Sequence, residues 1–206
     1  MELGLWLSLA SICAIGAMSP GPSLAVVLSH SMAQGMRQGL IASLAHGVGV
    51  GIYASLAVLG LAGLIKQYPL AYQALLYGGA AYLLYIAINI LKAGNHQFDL
   101  HRETNTSIWQ AAQDGFAIAF LNPKLAIFFL ALFSQFIDPD TITILQGLIM
   151  CFTVFAIDTL WYCFVSIVTS KANQKFELVR FAPTINKLLA IAFIILALRV
   201  VWTSLN

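Results

Sequence analysis

Six stretches of apolar side chains run along the chain, separated by short polar segments. A transmembrane helix needs about 20 mostly apolar residues, and each stretch reaches that length. The predicted spans are Leu3–Leu28, Leu40–Ile65, Leu70–Leu91, Ala111–Ile137, Ile144–Thr169 and Ile185–Leu205. The pattern predicts an all-α integral membrane protein with six transmembrane helices.

Positive charges fall mainly in the connections on one side of the predicted membrane. That side carries these residues: Arg37, Lys92, Arg102, Lys171, Lys175 and Arg180. The opposite side carries Lys66, with Arg199 near the end of the last span. Because Lys and Arg are retained on the cytoplasmic side, we expect both termini to lie outside the cytoplasm.

The composition agrees with a membrane protein and excludes several other classes. Hydrophobic residues make up 60% of the chain and charged residues 9%, whereas soluble domains carry about 25% charged residues. A net charge of +2 without a basic run gives no reason to expect a nucleic-acid partner. The chain also lacks GxSxG, HExxH and a phosphate-binding glycine loop, so we expect neither an enzyme nor a bound cofactor.

Spans one and four are each interrupted by proline, and the sequences at the two breaks are similar. A shift of 101 residues, the difference between 22 and 123, aligns Gly21–Val26 with Asn122–Ile127. We therefore expect one transmembrane domain, 1–206, built from two three-helix repeats. The repeats cover about 1–92 and 111–206, and a cytoplasmic linker covers about 93–110. An odd number of spans in each repeat inverts the second relative to the first.

The two proline breaks predict a polar site near the middle of the bilayer. Proline frees backbone groups in a helix, and in lipid these persist only when buried in protein or facing water. Paired broken helices are typical of transporter binding sites, although a packing kink is the alternative at each break. The candidate substrate-binding residues at the breaks are Ser19, Pro20, Gly21, Pro22, Asn122, Pro123 and Lys124.

Two charged residues lie deep within predicted spans, where a charge costs about 2.5–3.5 kcal/mol. Lys124 follows Pro123 in the first turn of a new half-helix, and helix N-termini attract anions. This end of the helix is suited to a substrate carboxylate. Asp158, midway along span five, can hold an ammonium group or a proton. A fixed ion pair between Lys124 and Asp158 is the structural alternative.

Residues near these charges add weaker candidates. Trp161 and Tyr162 follow Asp158 by three and four residues, which places them on its helical face. Trp161 joins the candidate substrate-binding set, although such aromatic residues also pack without a further role. His46 precedes three glycines that favour close helix contact. The candidates for proton coupling are Asp158 and His46, and a structural role is the alternative for the histidine.

The segment 16–38, GAMSPGPSLAVVLSHSMAQGMRQ, together with Asn122-Pro123-Lys124 and Asp158, resembles the LysE/RhtB family of amino-acid exporters. The resemblance implies a six-helix exporter of the bacterial inner membrane, coupled to proton entry and assembled as a homodimer. Many relatives carry an acidic residue just after the glycines of span two, where this chain has Ile52. Coupling would then depend more on Asp158 or His46.

The leading hypothesis is proton-coupled export of a small zwitterionic amino acid, with that substrate and the lipid bilayer as partners. A divalent-metal exporter would need several ligands within the membrane, and Asp158, His46 and Cys163 are few and scattered. A membrane thiol oxidoreductase would need a cysteine pair, for which only Cys13 with Cys151 or Cys163 is available. We expect no bound metal.

Overall fold

Eight α-helices account for nearly all of the described part of the computed structural model, which comprises residues 1–19, 21–92, 107–137, 142–172 and 178–205. The helices are α1 (Leu3–Met18), α2 (Pro22–Gln34), α3 (Met36–Gln67), α4 (Pro69–Lys92), α5 (Ile108–Phe120), α6 (Pro123–Ser134), α7 (Ile144–Ala172) and α8 (Leu178–Leu205). No strand occurs in these ranges. The predicted all-α class is confirmed.

Both predicted helix breaks are present. The axes of α1 and α2 differ by 58°, and α2 and α6 each begin at a proline. Proline suits the first position of a helix because its missing N–H would have no partner there. At the second break the Tyr53 hydroxyl donates to the carbonyl oxygen of Phe120, and the two rings stack with centroids 5.5 Å apart. One carbonyl freed by the break is thereby satisfied.

The connections are shorter than the sequence pattern predicted. The predicted spans leave residues 29–39 between Leu28 and Leu40, but α2 runs to Gln34 and α3 begins at Met36, so only Gly35 lies between the helices. Gly35 has φ of +93°, a conformation that L side chains with a Cβ rarely adopt. A one-residue joint is possible here because glycine supplies it.

The last helix also begins earlier than predicted. It starts at Leu178 rather than Ile185, so Pro183 lies inside α8 and not in a connection. A proline in a membrane helix removes one backbone donor without ending the helix, because neighbouring groups can satisfy the freed carbonyl. The predicted linker, residues 93–110, is also shorter at its end, because α5 begins at Ile108. Residues 93–106 of that linker and residues 138–141, between predicted spans four and five, lie outside the described residues.

The long helices α3 and α7 cross at glycines in the centre of the molecule. A methyl group added at Gly47 would lie 1.9 Å from Oγ1 of Thr159, and one at Gly49 would lie 2.8 Å from Cβ of Ala119 in α5. Gly51 faces Phe155 of α7. The predicted role of these glycines in close helix contact is confirmed.

Some of the helix contacts in the two halves correspond to one another, whereas others, such as that of α2 with α3, have no comparable counterpart among the described residues. Helix α3 contacts α5 as α7 contacts α1, and α2 contacts α7 as α6 contacts α3. Helices α3 and α7 also pack on each other, as do α4 and α8. If α1, α2, α3 and α4 are exchanged with α5, α6, α7 and α8, respectively, each of the pairs just named becomes itself or another of them.

Apolar side chains cover the outside of the helices as well as the core. Among the described residues, Met36–Gly60 and Ile144–Ser170 are each long and apolar enough to cross a bilayer, and the bent pair α1–α2 passes the same criterion as one span. Large exposed apolar side chains include Leu59, Phe152, Leu160, Leu188 and Ile195. An apolar exterior of this kind is suited to lipid contact.

Candidate functional site

A buried contact between an imidazole and a carboxylate joins α3 to α7. Nδ1 of His46 lies 2.8 Å from Oδ2 of Asp158, and the two residues are only 2% and 8% exposed. Asp158 lies halfway along α7. A carboxylate inside a membrane domain needs a partner because its burial is costly. His46 supplies that partner, and we call these two residues the central pair.

The second ring nitrogen of His46 is buried and has no hydrogen-bond partner among the described residues. The ring of Tyr162 packs edge-on against the imidazole, with centroids 4.8 Å apart and an interplanar angle of 75°. This contact holds the ring in place and leaves Nε2 of His46 available. An imidazole that is hydrogen-bonded at one nitrogen can accept or release a proton at the other.

Tyr162 connects the central pair to the beginning of α2. Its hydroxyl lies near the Ser23 side chain, one residue after Pro22 begins the helix. Gly21, at the N-cap, provides no side-chain cap, and first-turn amides have no carbonyl partner within their own helix. The anion-attracting end of α2 therefore lies beside a buried carboxylate–imidazole pair.

The cysteines around this region are all free. Cys13 of α1 and both Cys151 and Cys163 of α7 form no disulfide. Within the described ranges no three His, Cys, Asp or Glu side chains come together as metal ligands would.

The other predicted site residues are placed as follows. Ser19 ends α1, where its N–H donates to the carbonyl oxygen of Gly16 over 3.1 Å. The carbonyl oxygen of Asn122 accepts from the N–H of Leu125 over 3.0 Å, so Asn122 supports the start of α6. Pro20 and the side chains of Pro123 and Lys124 lie outside the described residues. The ion pair between Lys124 and Asp158, the structural alternative to a substrate site, therefore also falls outside the described residues.

Trp161 packs against an apolar cluster that includes Leu24 and Val27 of α2. Its Nε1 is buried and has no hydrogen-bond partner in the described part of the chain. The side chain of Trp161 thus packs where α7 meets α2, while its neighbour Tyr162 contacts His46 of the central pair directly. The sequence pattern ranked the tryptophan as a site residue and the tyrosine only as a possible neighbour, and the contacts favour Tyr162.

A second imidazole–carboxylate contact was not predicted. Nε2 of His30 in α2 lies 3.0 Å from Oδ2 of Asp114 in α5. The histidine side chain is 7% exposed, whereas that of the aspartate is 44% exposed. The two residues are 84 positions apart, so no sequence spacing links them. The only available signal was a polar residue inside each apolar helix. We call these residues the second pair.

A buried acid–imidazole pair beside a proline-started half-helix, within a bundle of apolar helices, is typical of multi-pass membrane proteins with an internal polar site. The chain belongs to the LysE type translocator family, whose model matches residues 14–204. This confirms the resemblance carried by the segment 16–38 and by the Asn122-Pro123-Lys124 motif.

The chain is also similar to several bacterial proteins. It is 28% identical to the leucine efflux protein of Klebsiella pneumoniae over 148 residues, which cover 71% of this chain and 69% of that protein. It is 33% identical to the leucine efflux protein of Salmonella choleraesuis over 120 residues, 58% of this chain and 57% of that protein. An uncharacterized membrane protein of Pseudomonas aeruginosa is 30% identical over 125 residues, and the match spans only 58% of its length. No solved structure matches the chain.

Proposed function

We propose that this protein exports a small zwitterionic amino acid across the inner membrane in exchange for protons. The observation that carries the proposal is the buried central pair beside the start of α2. One end of this arrangement attracts a carboxylate, and the other can hold an ammonium group or a proton. Family membership and relatives named for leucine efflux support the same activity, with leucine as the first substrate to test.

The proposed membrane arrangement has six spans in two inverted repeats. In it, α1 with α2 and α5 with α6 form the broken spans, and α3, α4, α7 and α8 form the others. The matching helix order and the corresponding contacts between halves support the repeat. Arg37, at the start of α3, and the other positive charges on its side favour a cytoplasmic position for that side.

In the proposed mechanism the substrate binds between the start of α2 and Asp158 of α7. Its carboxylate accepts hydrogen bonds from the first-turn amides of α2, where the helix dipole favours a negative charge. Its ammonium group pairs with the carboxylate of Asp158. The ammonium group of Lys124, at the start of α6, is predicted to add a second contact to the carboxylate.

Exchange follows from the presence of one buried carboxylate that can be neutralised in two ways. Asp158 binds either the substrate ammonium or a proton, because a second positive charge would be uncompensated in a site of low polarity. A proton taken up from outside must therefore leave before the next substrate binds from the cytoplasm. His46, hydrogen-bonded to Asp158, shares this proton and orients the carboxylate.

Everted membrane vesicles with an acidic interior test the proposal. Radiolabelled leucine supplied outside is expected to accumulate inside when the wild-type protein is present and to stop accumulating when the pH gradient is collapsed. Asp158→Asn keeps the size of the side chain but cannot carry a proton or balance an ammonium group. Normal accumulation by this variant would remove Asp158 from the mechanism.

A further inference from the structure

The second pair has the chemistry of the central pair but a different relation to solvent. His30 is buried at the contact of α2 with α5, while the carboxylate of Asp114 is partly exposed. Both residues lie near the ends of their helices that are proposed to face the cytoplasm. The proton antiport proposed above brings a proton to the central pair and gives it no exit to that side.

Three buried serines lie on the side of the central pair toward the proposed cytoplasmic end. Ser43 lies three residues before His46 and is adjacent to it on the face of α3, and its Oγ is 3.0 Å from Oγ of Ser166 in α7. Ser31 of α2 completes the set. None of the three serines is more than 1% exposed.

Gly39 is what allows α2 and α7 to bring these hydroxyls together. A methyl group there would lie 2.1 Å from Oγ of Ser31 and 2.9 Å from Oγ of Ser166. The two oxygens can therefore be no more than 5.0 Å apart, the sum of those distances. With a rise of about 1.5 Å per residue, Gly39 lies about 10 Å closer than His46 to the start of α3. The hydroxyls thus extend from the central pair toward that end.

We propose that the second pair is the exit for protons leaving the central pair, and that Ser43, Ser166 and Ser31 carry them between the two. This inference rests on the proposed proton antiport and adds a route to it. The unpartnered Nε2 of His46 is the point from which a proton would leave the central pair.

Each transfer along this route breaks one bond to hydrogen and forms another. Before the substrate ammonium pairs with Asp158, the carboxyl proton of Asp158 passes to Nδ1 of His46, and the proton on Nε2 leaves. The next proton from outside binds Nε2, and Nδ1 returns its proton to Asp158, which restores the starting state. Each serine hydroxyl accepts one proton and releases one, so it ends unchanged. His30 receives the proton, and Asp114 passes it to water. Water molecules would have to bridge the steps that no direct hydrogen bond joins, which are His46 to Ser43, Ser166 to Ser31 and Ser31 to His30.

The same serines also fit a simpler role in packing. The hydroxyls of Ser31 and Ser43 donate to carbonyl oxygens four residues earlier, over 2.6 and 2.7 Å, and small hydroxyl residues let membrane helices approach closely. A contact between His30 and Asp114 that only fastened α2 to α5 would have no part in proton movement. Only a measurement that separates proton flux from substrate movement distinguishes these roles.

Proteoliposomes containing the full-length protein allow that separation. Leucine accumulation driven by a pH gradient requires net proton movement, whereas exchange of labelled for unlabelled leucine at equal pH does not. His30→Gln retains a donor near the position of Nε2 but cannot carry the proton onward. The double variant Ser43→Ala with Ser166→Ala removes the linked hydroxyls. The matched control is Ser11→Ala, because Ser11 donates only to its own helix, at the Leu7 carbonyl oxygen over 2.7 Å.

We expect His30→Gln and the double serine variant to slow gradient-driven accumulation by about tenfold or more and to leave exchange within about twofold of wild type. Loss of both activities in the two variants would show a structural role and overturn the proposal. Retention of both would overturn it as well. If wild-type accumulation ignored the pH gradient, the proton antiport itself would fail, and that result is distinct from a coupled wild type with unaffected variants.

Discussion

The central pair and the second pair have nearly the same geometry, with nitrogen–oxygen distances of 2.8 and 3.0 Å, but their surroundings differ. Both members of the central pair are buried, and the start of α2 lies beside them through Tyr162 and Ser23. The second pair has one buried and one partly exposed member.

The two pairs contain the same kinds of side chain, so the difference in solvent exposure of their carboxylates is what separates the proposed roles in substrate binding and in proton exit. A carboxylate shielded from water must be neutralised in every state, so Asp158 is suited to binding either the substrate ammonium or a proton. A carboxylate that reaches water can exchange protons freely, and Asp114 is suited to that.

Replacing each aspartate with asparagine compares the two pairs directly. Asp158→Asn is expected to reduce gradient-driven accumulation and leucine exchange each by about 100-fold or more, because the site loses its only described acidic group. Asp114→Asn is expected to reduce only the gradient-driven activity. Both are measured in the same proteoliposomes. Equal effects of the two variants on exchange would contradict the distinction between the pairs.

A methyl group at Gly47 should disturb the central pair through the helix crossing beside it. Since the added carbon would lie 1.9 Å from Oγ1 of Thr159, α3 must move away from α7, and we expect a loss of about 1–3 kcal/mol in stability together with weaker transport. Gly60→Ala is the control within the same helix, because nothing lies within 4 Å of the added carbon there. Thermal unfolding in detergent measures both variants, and equal midpoints would argue against a close crossing.

Tyr162→Phe removes a hydroxyl beside the central pair. The ring would still pack on His46, but the side chain could no longer hydrogen-bond to the nearby Ser23, and such a bond contributes about 0.5–1.5 kcal/mol. We expect the KM for leucine to rise by about two- to tenfold, with little change in the dependence on the pH gradient. Tyr85→Phe is the control, since Tyr85 is 62% exposed on α4. An unchanged KM would separate the start of α2 from substrate binding.

The sequence predicted the breaks and the apolar helices because lipid imposes strong rules on backbone and charge. Proline at positions 22 and 123 was a sufficient signal for half-helices, and the helices begin at those residues. The helix ends were predicted less well. Gly35 ends α2, as glycine commonly does, but α3 begins at the very next residue, and Pro183 does not end a helix.

The site was predicted only in part, because its contacts depend on packing between distant helices. Asp158 and His46 were both candidates, but nothing in the sequence indicated that they contact each other across 112 positions. The partners expected for Asp158 were the substrate ammonium or a proton, and an ion pair with Lys124 was only the structural alternative. Ser23 and His30 look like ordinary members of an apolar half-helix. Only the packing of α2 against α7 and α5 makes them notable.

The most direct test of the central claim follows the proton itself. Everted vesicles with an acidified interior and a pH-sensitive dye inside are given leucine outside. We expect the interior to become less acidic as leucine enters, and we expect no such change in vesicles with Asp158→Asn. Leucine entry without a pH change in the wild type, or the same pH change with Asp158→Asn, would contradict the proposal that substrate and proton compete for Asp158.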